Sequence, residues 1–237
     1  MDNNQFKWWK IPFWPNILYG QLYKKLLEAI VERKECINFA VLGVPQSGKT
    51  HFICIVRDEP YNKDKHTALG GDDLEEKCVM LNGKKLVYKK GKDINGLQVN
   101  QYPELIKKAD VIYFFFRADY YLKNKKLRTI DNGVIFSRQD LEKYKSYQEL
   151  VQSDFGLVVR DENAKNKPIK VVASFRKNIG EENKINENQI ILSIKDSFEQ
   201  SLKNIDLSNC AFYLADIDDE HREWVKEHAN ELIFIKK

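Results

Sequence analysis

Short apolar runs alternate along this chain with stretches of helical period. Residues 37–42, 111–116, 169–174 and 211–215 are too short and too continuously apolar for amphipathic helices, and read as strands buried on both faces. Between and after them the apolar positions recur every three or four residues. This predicts helices just after Lys49, over 102–108, over 137–151 with Leu141, Tyr144, Leu150 and Val151 on one face, over about 186–203, and over about 219–231. The 137–151 helix is expected to start at the capping pattern Ser137-x-x-Asp140. Residues 74–81 and 84–90 flank Asn82-Gly83, the strongest short hairpin signal, so two antiparallel strands are expected there. Strands alternating with helices around one central hairpin predict an α/β fold, a mixed and mostly parallel sheet with helices on both faces.

At the N-terminus the pattern changes. Trp8, Trp9 and Trp14 crowd with Phe6 and Phe13 into the first fifteen residues, where Pro12 and Pro15 prevent one continuous helix. An amphipathic helix is predicted from Asn16 to about Arg33, with Tyr19, Tyr23, Leu26, Leu27 and Ile30 on one stripe. The chain thus divides into an aromatic arm and helix over 1–35 and a main domain over 36–237. Such clustered apolar area is rarely left uncovered, so the arm is expected to dock, by preference on its own domain and otherwise on a partner. A membrane surface is a third option for its Trp and Lys residues, not the favoured one.

Between the strand at 37–42 and the following helix stands Gly43-Val44-Pro45-Gln46-Ser47-Gly48-Lys49-Thr50, the pattern Gly-x-x-x-x-Gly-Lys-Thr in the strand-to-helix context that a phosphate loop needs. Its glycines let backbone N–H groups close around a phosphate, and the helix adds its positive N-terminal dipole. Lys49 is suited to the β and γ oxygens and the Thr50 hydroxyl to Mg²⁺. At average glycine usage a chain of this length shows the pattern by chance roughly once in a hundred. The loop by itself leaves open ATP or GTP, and kinase, hydrolase or switch.

Downstream lie Thr67 in the polar stretch 57–71, then the hairpin, then Asp93-Ile94-Asn95-Gly96. This order of Gly-x-x-x-x-Gly-Lys-Thr, loop threonine, hairpin and Asp-x-x-Gly resembles the Ras-like small GTPases of the translation-factor-related class, in a bacterial-type variant with Pro45 in the loop. The resemblance implies a GTP/GDP-binding switch with slow GTP hydrolysis. It also implies Mg²⁺ held by Thr50, Thr67 and Asp93, and the γ-phosphate sensed by the Gly96 N–H. Where the family often carries a water-orienting glutamine stands Leu97, with Gln98 one place on. The guanine-reading aspartate is missing: the strand at 169–174 runs into Ala173-Ser174-Phe175-Arg176-Lys177-Asn178. About twenty extra residues also separate the strands at 111–116 and 169–174, giving an insertion at about 120–167. A scaffold without strong hydrolysis, or an ATP-using protein, are the alternatives. An ATPase-type acid would have to be Asp119, which Arg117-Ala118 separates from its strand.

Composition narrows the classes without choosing among them. Hydrophobic residues at 43% and charged residues at 31% suit an ordinary globular domain of 237 residues. No apolar run reaches the ~20 residues of a spanning helix, so a cytoplasmic location is the expectation. The four cysteines form no Cys-x-x-Cys pair, which argues against a zinc site or disulfide framework. A net charge of +4, with lysines interleaved among acids, reads as solvated surface, and no nucleic-acid partner is expected. The partners expected are a nucleotide and a protein effector.

Overall fold

The computed structural model describes residues 36–57, 59–60, 72–81, 84–88, 91–93, 98–125, 127, 143–175 and 187–216. The aromatic arm and its helix, Thr67, residues 94–97, the Ser137-x-x-Asp140 pattern and the C-terminal helix over 219–231 lie outside the described residues. In chain order the elements are β1 (Cys36–Ile37), β2 (Phe39–Gly43), α1 (Lys49–Val56), β3 (Asp72–Leu74), β4 (Lys77–Leu81), β5 (Lys84–Tyr88), β6 (Gly91–Asp93), α2 (Tyr102–Lys108), β7 (Val111–Arg117), α3 (Ala118–Leu122), α4 (Tyr147–Arg160), β8 (Ile169–Phe175), α5 (Glu187–Ser201) and β9 (Cys210–Asp216). The fold is a mixed α/β one.

β2, β7, β8 and β9 lie side by side in that order, all parallel. All seven residues of β7 are buried, because β2 and β8 flank it and helices cover both its faces. Its side chains alternate as a strand requires. Ile112, Phe114 and Phe116 enter a core shared with α2, α4 and α5, while Val111, Tyr113 and Phe115 enter a second core with Phe52, Ile53 and Val56 of α1. Phe52 sits 4.9 Å from the Tyr113 ring and 5.1 Å from the Phe115 ring, which fixes α1 against the strand beside the one it follows. Full burial of each such side chain contributes about 1.5–3 kcal/mol, so the sequence run at 111–116 is the main anchor of the sheet.

The expected hairpin is present as β4 and β5, antiparallel and closed by the pair Leu81 and Lys84 around Asn82-Gly83. The strand expected over 74–81 is broken at Glu75 and Glu76, with Leu74 ending β3. β5 runs parallel to β1, and Asn38 alone separates β1 from β2. β6 pairs antiparallel with β3, bringing Asp93 opposite Asp72, and lies against β2 and α1.

One helix expectation is corrected. The helix predicted over 137–151 begins at Tyr147 and continues to Arg160. Ser146 is its N-cap, with extended backbone and its Oγ accepting from the Glu149 N–H at 3.3 Å. Ser146-x-x-Glu149 therefore supplies the capping pattern, and the apolar stripe runs on through Phe155 and Val158. Tyr144 precedes the helix instead of lying on it, its hydroxyl 3.0 Å from Ser153 Oγ. Within the 120–167 stretch read as an insertion, α4 is thus a core helix, with Leu150, Val151, Phe155 and Val158 fully buried. Among the described residues, no helix is long and apolar enough to cross a membrane.

Candidate functional site

The segment 43–50 leaves the C-terminal end of β2 and enters α1, as its pattern predicts. Gly43 has φ of 124°, and a Cβ built there would stand 2.0 Å from the Phe115 carbonyl oxygen and 2.6 Å from its nitrogen. Only glycine fits that approach. The Val44 N–H then donates to Phe115 O at 3.2 Å, tying the start of the loop to β7. Gln46 (φ 55°) and Gly48 (φ 89°) are both left-handed and curl the chain back on itself, with the half-buried Pro45 just before them. Gly48 is the N-cap of α1 and makes no side-chain cap, as a residue without a side chain must, and its carbonyl receives the first helical bond from Phe52.

Two side chains close the curl. Ser47 is buried, and its Oγ donates to Val44 O at 2.8 Å. Lys49 Nζ donates to the same carbonyl at 2.6 Å and lies 3.5 Å from Ser47 Oγ. Lys49 is only 6% exposed, so its ammonium is held at the loop by packing as well as by hydrogen bonding. Thr50 follows, half-buried, in the first turn of α1. A concave turn of backbone, a helix N-terminus and a buried ammonium form an arrangement that can hold an anion of phosphate size.

The other sequence-derived candidates divide. Asp93 ends β6, a strand in contact with β2 and α1, and stands opposite Asp72 of β3. Thr67, Gly96 and Leu97 lie outside the described residues. Gln98 is half-buried, and its side-chain oxygen accepts from Gln101 Nε2 at 2.9 Å, so the structure pairs it with its own turn.

Sequence reasoning missed a contact that spans 59 positions: the buried Tyr102 hydroxyl accepts the Gly43 N–H at 3.0 Å. Nothing in the pattern 102–108 marks its first residue as touching the loop.

At the far strands the same edge of the sheet is built differently. Ser174, near the end of β8, is fully buried and donates from Oγ to Phe116 O at 3.0 Å. Arg117 closes β7 and its Nε donates to Asp119 Oδ1 at 2.7 Å, with its second nitrogen on the other oxygen. Burial would lower the Arg117 pKa, but the Asp119 carboxylate outweighs it and holds the guanidinium charged. Asp119 is thereby committed to a structural pair and sits in α3, past the strand. The Arg117 N–H donates to the Tyr147 hydroxyl at 2.9 Å, and burial pushes that phenol well above its usual range.

A separate cavity of about 550 Å³ opens among α3, α4 and α5, rimmed by Leu122 and Leu192. Several of the polar groups at its wall meet one another: Tyr121 Oη and Gln148 Nε2, with Gln152 Nε2 beside the cavity, all reach Ser197 Oγ, at 2.9, 2.8 and 3.2 Å. Comparison with known proteins gives no match, either to a protein-family model or to a curated protein.

Proposed function

We propose that this chain is a P-loop GTP-binding protein that hydrolyses GTP to GDP slowly and switches conformation between the two states. The observation that carries the reading is the conformation of the loop 43–50, in which two left-handed residues, a glycine without room for a Cβ and the Lys49 ammonium converge on the turn around Val44 O. The sequence order of loop, hairpin and Asp93-x-x-Gly96 supports the GTPase form of it, as does the run of β6 alongside β2.

In this reading the backbone amides of 46–50 and Lys49 bind the β- and γ-phosphates, and Thr50, Asp93 and Thr67 are the residues that would hold Mg²⁺. The metal, when bound, neutralises charge developing on the phosphate oxygens. Gly96 senses the γ-phosphate, and segments 57–71 and 93–102 are the ones that change. Slow turnover follows from Leu97, which cannot orient a water, and from the pairing of the Gln98 oxygen with Gln101.

The alternative, a scaffold that binds nucleotide weakly or without base selection, is favoured by Ser174: a buried hydroxyl stands near the strand end where a guanine-reading acid would be expected. Nucleotide released from the purified protein, identified as GTP/GDP, adenine nucleotide or none, separates the readings. Single-turnover hydrolysis with Mg²⁺ then tests the rate, which is expected well below the ordinary range of about 1–10³ s⁻¹.

A further inference from the structure

We propose that Tyr102 is a positioning residue for the phosphate loop, linking the segment 93–102 to the backbone of Gly43. The proposal rests on the nucleotide-binding reading above. In a strand, successive N–H groups point to opposite edges. The Val44 N–H points to β7, where it meets Phe115 O, so the Gly43 N–H points to the other edge of β2. There it meets no strand carbonyl but the phenol oxygen of Tyr102, at 3.0 Å and buried, with Tyr102 itself 1% exposed.

The chain between β6 and α2 is thus attached to β2 at both ends: β6, ending at Asp93, lies along β2, and Tyr102 opens α2 with its hydroxyl on Gly43. Any rearrangement of 93–102 must carry this hydrogen bond or break it. Gly43 is held rigidly on its other side, because β7 leaves no space at its Cα. A loosened Gly43 amide therefore transmits to Val44, whose carbonyl receives both Ser47 Oγ and Lys49 Nζ. Tyr102 acts on the phosphates through Gly43, Val44 and Lys49, and touches no phosphate itself. Since Lys49 serves the γ-phosphate as well as the β, loss of the bond falls harder on the triphosphate than on the diphosphate.

Tyr102→Phe removes the acceptor and keeps the ring that fills the core. Affinities of the full chain for a non-hydrolysable GTP analogue and for GDP, both with Mg²⁺, are the measurement. The expected result is about a tenfold loss for the analogue, the size of one hydrogen bond, with less than about a threefold loss for GDP. Equal losses for the two nucleotides, or none, overturn the proposal, because a merely structural tyrosine lowers the melting temperature and leaves their ratio alone. Should the variant fail to fold, hydrogen exchange on the wild-type chain decides: peptides covering 39–48 and 98–106 are expected to gain protection together with the analogue and not with GDP, and independent protection overturns the link. A wild-type chain that binds neither nucleotide removes the functional reading and the proposal together, whereas normal binding with an unchanged ratio in Tyr102→Phe removes the proposal alone.

Discussion

The ends of β2 and β8 lie on one edge of one parallel sheet, yet they carry different kinds of chemistry. At β2 the work is done by backbone: left-handed residues, a missing Cβ, a helix N-terminus and one buried ammonium. At β8 a side chain would be required to read a base, and the buried Ser174 there spends its proton on the neighbouring strand. A backbone site constrains its sequence tightly, because few residues reach those φ values or tolerate that approach. A side-chain site can be lost by one substitution while the strand beneath it stays intact. Under the proposed reading the end of β2 serves phosphates, whereas β8 itself carries no acid, and the acid beside its last residue is Asp216 of β9, paired with Phe175.

The largest expected effect tests the phosphate end. Lys49→Ala should reduce triphosphate affinity by at least 10²-fold, since two charge-assisted hydrogen bonds contribute about 1.5–3 kcal/mol each. Because Lys49 is buried and bonded to Val44 O, some loss of stability accompanies it. Calorimetric titration measures the effect, and an affinity within twofold of wild type would remove the phosphate-loop assignment.

Next in size is the cost of a side chain at Gly43. Gly43→Ala combines a left-handed φ with a Cβ at 2.0 Å from backbone, and neither can relax without moving β7. A destabilisation of about 3 kcal/mol or more is expected, seen as a fall of roughly 6–12 °C in the melting temperature. A melting temperature within two degrees of wild type would mean that β2 and β7 separate easily at their ends.

Ser174→Ala sharpens the other side of the comparison. Stability should fall by about 1 kcal/mol as the Phe116 carbonyl loses its partner, while the ratio of GTP to ATP affinity stays within twofold. A tenfold change in that ratio would make Ser174 a base-reading residue and collapse the distinction between the two ends.

Much of the sheet was legible in the sequence. The run at 111–116 is apolar on both faces because its strand is central, and that at 169–174 nearly so, broken only by Lys170 and Ser174, and the same continuity that buries them marks them as strands. Residues 102–108 and about 186–203 were readable as helices from their stripes, and the Asn82-Gly83 hairpin from its turn. The start of α4 was misplaced because a second capping pattern, Ser146-x-x-Glu149, lies inside the range predicted as helix, and the Ser146 side chain is the one that caps α4. In the site, the loop 43–50 was legible since its conformation is dictated locally. Tyr102 was not, because a hydrogen bond between residues 59 positions apart leaves no local trace. The burial of Lys49 was likewise hidden, as a lysine in a motif reads as exposed until the Ser47 and Val44 contacts are known.

The smallest effect concerns how the phosphate loop's helix is braced against the hairpin. Arg57, the C-cap of α1, donates from Nε to Glu59 at 3.1 Å and from Nη1 to Glu75 O at 2.8 Å, and Lys77 of β4 reaches the same Glu59 oxygen at 3.2 Å. Burial raises the Glu59 pKa, but the hydrogen bonds and charges of Arg57 and Lys77 outweigh it and leave the carboxyl below its usual value. A group whose pKa is depressed in the folded state gives stability that is fully present above its unfolded pKa, about 4.3, and is lost as pH falls through the folded value. With Glu59 34% exposed, solvent screening holds the contribution to a few tenths of a kcal/mol, up to about 1. Glu59→Gln should therefore be slightly less stable than wild type at pH 7, with the gap closing as the pH drops below about 4. Denaturant melts of the two proteins at pH 7 and pH 3 provide the check. A gap that stays constant across that range would assign the contact to packing instead of charge.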